Sequence, residues 1–301
     1  MRTPMRCLPL FAAVLFLPFS QLFADEPSKP SGGEAVVVDA AGKEVKLKKW
    51  HISAGTRKLG WLEKDGVAPE ALAFRETNST LFKDGVVTLI PLDRLESLTY
   101  DVEKQTVQAK VAGLNQPLEG SIRYKEINQI TIEAEVDKGD AGIVELKYKG
   151  GQLKGGIRSV KFSGAKAGAA PVGEKMFITI ADAKQKHPPQ AVVQLQALYK
   201  VGKEQEKLAT TLMFKKTYKV ELAQIQSMKV HDNAETKELE CEVTLKDGTT
   251  QTLTPLTATT LDGKPATLEG LLGAVPAGYR LFPLHTVGEL SREEPKKEKD
   301  E

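Results

Sequence analysis

Two short segments show how the chain distributes its apolar residues. In 106–111 (TVQAKV), Val107, Ala109 and Val111 alternate with polar residues. In 239–245 (LECEVTL), Leu239, Cys241, Val243 and Leu245 alternate with Glu and Thr. Successive side chains of a strand point to opposite faces, so a period of two predicts half-buried strands. A second pattern recurs. IPLDRLESLTYD at 90–101 carries apolar Ile90, Leu92, Leu95 and Leu98 at its first, third, sixth and ninth positions. VELAQIQSMKVH at 220–231, IRYKEINQITIE at 122–133 and FPLHTVGEL at 282–290 have the same form, with weaker echoes at 155–162 and 192–200. Ile90 and Leu92 share a strand face, whereas Leu92, Leu95 and Leu98 are spaced like a 3₁₀ turn. The motif therefore predicts strand, one tight turn, strand, with its apolar side chains on one side. Pro91 has no N–H to give to a ladder and suits a strand end or edge.

This motif resembles the closing segment of SH3-like and Sm-like small barrels, where an apolar–Pro pair precedes a 3₁₀ turn and a last strand. The resemblance implies a fold and no activity. The expected class is all-β: two related halves of small SH3-like barrels or short twisted antiparallel sheets, with little helix. Asp65-Gly66, Asp84-Gly85, Asp247-Gly248 and Asp262-Gly263 mark turns, because both residue types tolerate positive φ. Two short helical pieces are expected, one turn within 67–74 and a short helix starting near Thr267.

The expected division is a signal peptide at 1–24, a flexible spacer at 25–34, a first β domain at 35–162 and a linker at 163–173. A second β domain at 174–290, related to the first, and a disordered charged tail at 291–301 complete it. The linker SGAKAGAAPVG is nearly all small residues. The second half restates the first: VELAQIQSM follows IPLDRLESL by 130 residues, an internal repeat. Arg2 and Arg6 precede a 13-residue apolar run, Cys7–Phe19, too short to span a bilayer alone. Processing is expected after Ala24, giving a secreted or periplasmic protein with no transmembrane segment in its mature form. The chain carries 42 basic and 40 acidic residues, and its excess of +2 matches Arg2 and Arg6. Without them there is no net field to draw nucleic acid.

Chemistry is sparse. His51, His187, His231 and His285 lack the spacing of a zinc motif. Cys7 leaves with the signal peptide, and the alternation points Cys241 into a core. Ser163 and Lys166 match an S-x-x-K spacing, but in a Gly/Ala linker without the accompanying motifs. No catalytic residue, metal ligand or cofactor is expected. Trp50 and Trp61 are the only tryptophans, and are either core residues or an aromatic platform for a glycan or peptide. The expected function is an exported, non-enzymatic binding or scaffolding protein with a protein, peptide or glycan partner. The alternatives are a carbohydrate- or peptide-binding module using Trp50 and Trp61, or a hydrolase with a site assembled from scattered residues.

Overall fold

The computed structural model of the chain describes residues 33–47, 49–76, 85–122, 128–137, 143–150, 156–181, 188–203 and 205–294. The expected signal peptide, most of the spacer, His187 and most of the charged tail lie outside them. Among the described residues, strands make up 62 % and helical turns 7 %, with no helix of seven or more residues, so the fold is all-β as expected. No sheet closes into a barrel, which leaves the antiparallel-sheet alternative.

Before the 163–173 segment run β1 (Ala35–Asp39), β2 (Glu44–Leu47), β3 (Lys49–Ala54), β4 (Thr56–Lys58), β5 (Glu70–Phe74), β6 (Val87–Pro91), β7 (Leu95–Asp101), β8 (Thr106–Val111), β9 (Leu118–Ser121), β10 (Thr131–Asp137), β11 (Ile143–Gly150) and β12 (Gly156–Phe162). After it run β13 (Lys175–Ile180), β14 (Gln190–Val201), β15 (Gln205–Ala209), β16 (Thr211–Met213), β17 (Lys219–Glu221), β18 (Ile225–Asp232), β19 (Leu239–Leu245), β20 (Thr250–Leu253), β21 (Ala258–Leu261), β22 (Lys264–Val275), β23 (Gly278–Phe282) and β24 (Val287–Ser291). One sheet has the order β3-β10-β11-β12-β7-β8-β9, with β1 bridging β12 and β2. The larger sheet runs β20-β19-β18-β24-β13-β14-β22-β23-β6-β5-β4, with β15 on β14 and β21 on β22. β16 and β17 pair only with each other. The two expected helical pieces are strands instead, β5 and the central part of β22. Pro265, Gly270 and Gly273 disfavour a helix over 264–275, and pairing with β14 on one side and with β21 and β23 on the other satisfies the backbone as a strand.

The recurring motif folds as expected at three of its copies. A 3₁₀ turn at Leu92–Arg94 joins β6 to β7, one at Leu222–Gln224 joins β17 to β18, and one at Leu284–Thr286 joins β23 to β24. The copy at 122–133 lies partly outside the described residues. Pro91 and Pro283 precede their turns at φ −54° and −52°, the value a proline ring imposes. The turn explains only half of the three-residue spacing. Leu95 and Leu98 are both buried, although residues three apart on a strand face opposite ways. The β7–β8 register shifts between Leu95 and Ser97, and the β18–β19 register shifts between Ile225 and Ser227. These bulges return Leu98 and Met228 to the core side.

The pairing after the corners corresponds between the halves. Leu98 lies opposite Val160 of β12, and Met228 opposite Leu290 of β24. Val160 lies opposite Val37 of β1, and Leu290 opposite Ile178 of β13. The β1–β12 register shifts between Val38 and Asp39, and the β13–β24 register between Thr179 and Ile180.

The chain-order halves are joined by strand pairing. β6 of the first half pairs with β23 of the second, Leu89 facing Tyr279 and Thr88 facing Arg280. One face of the arc β15-β14-β22-β23-β6-β5-β4 builds a second, smaller core of Leu59, Ala71, Leu89, Leu198, Leu272 and Leu281. The alternate residues Leu72, Phe74 and Ile90 face the main core. Leu59, Leu89 and Leu198 are 0 % exposed, each contributing about 1.5–3 kcal/mol by burial. The two ends of the arc, β4 and β15, are linked by side chains. Arg57 donates from Nε to Glu206 Oε1 at 2.8 Å and pairs with Glu269, while Gly60 N donates to Glu206 Oε2 at 3.3 Å. Burial disfavours the Arg57 cation, but the two carboxylates outweigh it and its pKa is raised.

The 163–173 segment lies along this body. Lys166 N donates to Asp93 O at 2.8 Å, and Gln194 Nε2 to Val172 O at 3.2 Å. A side chain on Gly168 would collide with the Arg94 guanidinium.

Candidate functional site

A pocket opens beside the smaller core, where the two halves meet. The 3₁₀ turn Gly60–Leu62 presents Trp61, and buried Leu59, whose N–H donates to Pro69 O at 2.8 Å, anchors that turn. Tyr279 meets Trp61 edge to face, ring centroids 6.0 Å apart at 88°. This is a favoured aromatic geometry. Gly278 lets the β23 backbone approach β6, since a Cβ there would meet Leu89 O and lie 2.6 Å from Pro91 Cδ. Leu208, Leu272 and Ala274 supply further apolar wall, and Gln194 and Gln196 supply amides. The cavity is about 140 Å³, below the usual range of drug-sized sites.

Three features set this pocket apart from a packing defect. Gln194 has φ 53°, a left-handed conformation unusual for a residue other than glycine. It sits in a bulge: the β14–β22 register shifts between Val193 and Gln196, where β14 leaves β13 and goes on to pair with β15. Strained backbone and bulges concentrate at functional sites, where they re-aim side chains. The Gln196 side-chain amide has no hydrogen-bond partner among the described residues. Trp61 Nε1 is buried without a partner, a costly arrangement in a finished core. Leu62, 38 % exposed, lines the pocket next to Trp61, and the carbonyl of Val172, 79 % exposed, accepts from Gln194.

The structure separates the two tryptophans. Trp50 is 6 % exposed on β3, its Nε1 donates to Gly33 O at 3.1 Å, and its ring packs 5.3 Å from Phe162. It belongs to the main core, and Trp61 to the margin of the smaller one. Gln194, Gln196 and Tyr279 were not singled out by sequence reasoning, because the pocket joins three segments separated by long stretches of chain. The signal available was VVQLQALY, where two glutamines interrupt an otherwise apolar strand.

The remaining candidates are placed singly. His51 faces Glu133 at 3.4 Å and His231 faces Glu240 at 3.7 Å, both as cross-strand neighbours, and His285 lies in the last 3₁₀ turn. Among the described residues no three metal-binding side chains converge. Cys241 is fully buried, and burial pushes its thiol up to about 12, so it stays protonated. Ser163 donates its hydroxyl to Glu34 O at 2.7 Å. A second polar cluster reinforces the joint: Arg280 pairs with Glu76 and donates to Thr88 Oγ1 at 3.1 Å and Gln190 Oε1 at 2.5 Å.

Fold and pocket together define an all-β protein with a small aromatic–amide site at the seam between its halves. Comparison with family models, with curated proteins and with solved structures finds no match, so the site's chemistry carries the functional reading.

Proposed function

We propose that the chain is an exported, non-enzymatic binding or scaffolding protein whose ligand contact is the Trp61–Tyr279 pocket. The observation that carries this reading is the built character of the pocket: an aromatic pair, two amides and a strained, bulged Gln194 converge where β4–β6 meet β14 and β22–β23. The β6–β23 pairing supports the same reading, since it creates a seam between the two parts of the chain that neither has alone. Export rests on the Arg-flanked apolar run, and predicts a mature N-terminus at Asp25 by mass spectrometry. Binding is tested through the indole N–H signals of ¹⁵N-labelled protein, which number two and are assigned with Trp50→Phe. A panel of neutral sugars and acetylated amino-acid amides should perturb the Trp61 signal saturably and leave that of Trp50 in place. A panel that moves neither signal, or both equally, contradicts the pocket reading.

A further inference from the structure

Resting on the pocket reading above, we infer that the pocket takes one uncharged sugar ring, held through its hydroxyls by Gln194 and Gln196. No lining side chain is charged, so the site offers no counter-ion for an anionic or cationic ligand. Its size admits one ring. The lining is divided chemically: Trp61, Tyr279, Leu208, Leu272 and Ala274 are aromatic or alkyl, whereas Gln194 and Gln196 each carry a donor and an acceptor. A purely apolar guest would cover the Gln196 amide and leave it unpaired, which is penalised. A pyranose has the same division, with C–H faces for the aromatic and alkyl side and hydroxyls that both donate and accept. Aromatic faces are negative and attract such C–H groups. Gln194 is oriented for this role, because one N–H of its Nε2 is held by Val172 O at 3.2 Å, while its second N–H and its oxygen remain for a hydroxyl. Gln196, one alternation along β14, offers its whole amide.

The test uses the full chain, with maltotriose, cellotriose and chitotriose as probes and acetyl-phenylalanine amide as the peptide-type comparison. At least one trisaccharide should shift the Trp61 indole signal with a dissociation constant of about 1 mM, a value ordinary for a one-ring contact. Gln196→Leu should leave the melting temperature and the ligand-free Trp61 signal unchanged. It should weaken the sugar about tenfold or more. Sugar affinity unchanged in Gln196→Leu overturns the assignment. Binding of acetyl-phenylalanine amide with no response to any sugar overturns the sugar class and leaves the pocket reading standing. Silence of Trp61 to every probe overturns both.

Discussion

The corners at 90–101 and 220–231 are alike downstream of their 3₁₀ turns and unlike upstream. Downstream, β7 and β18 carry the same bulge, the same spacing of buried positions and corresponding partners in β12 and β24. Upstream, β6 is sandwiched between β5 and β23, whereas β17 pairs only with β16. The side chains account for the difference. β6 reads VTLIP, with Leu89 buried in the smaller core and Ile90 in the main one. β17 reads KVE, with Val220 buried between exposed Lys219 and Glu221. A strand apolar on both faces demands neighbours on both faces; one that alternates needs only a single core. The same local corner thus occurs twice, and of the two only the one at 90–101 is entered by a strand that pairs across the halves.

Six substitutions break or sharpen this comparison. Leu95→Asp and Ile225→Asp each put a charge at a position that is 0 % exposed. Each should cost more than about 4 kcal/mol, seen as loss of the cooperative urea transition. Equivalence of the corners requires similar losses, so one tolerated substitution would undo it. Leu89→Ala empties part of the smaller core and should cost about 2–5 kcal/mol in urea unfolding while shifting the Trp61 indole signal. Val220→Ala, in the matching upstream strand, should cost less and leave Trp61 unmoved. Gly278 has φ 146° and no room for a Cβ. Gly278→Ala should cost about 1–3 kcal/mol and displace Tyr279 from Trp61, measured by thermal unfolding and by near-ultraviolet circular dichroism.

The smallest effect is a gain. Glu221 occupies the place of Pro91 and Pro283 and already has φ −69°. The bonds Phe214 N to Tyr218 O and Leu222 N to Thr210 O fix the β16–β17 ladder so that Glu221 falls at a non-bonded position. Glu221→Pro should therefore stabilise the protein by about 0.4–1 kcal/mol by restricting the unfolded chain. A loss of stability would show that the corners differ in backbone demand.

Much of the fold was legible in the chain. The alternation of 106–111 and 239–245 gave strands, and the apolar spacing of 90–101 gave strand, turn, strand. The continuous run VVTLIPL also carried the information that β6 is covered on both faces, although not which strand covers it. The apolar run LEGLL at 268–272 misled, because its strand state comes from pairing with β14, distant in sequence, and with β23 across a hairpin. Trp61 was legible as a candidate, but Trp50 was an equal one until Gly33 and Phe162 were placed beside it. Gln194, Gln196 and Tyr279 owe their convergence to the β6–β23 and β14–β22 pairings, which no local pattern encodes.

The central claim is that the seam at β6–β23 holds the two halves as one body and forms the pocket. It is tested most directly by cutting the chain between Ala169 and Ala170 at an inserted protease site, then running size-exclusion chromatography without denaturant. The two pieces should co-elute at the volume of the uncut protein, with the Trp61 indole signal unchanged. Separation into two smaller species, each folded, would contradict the claim.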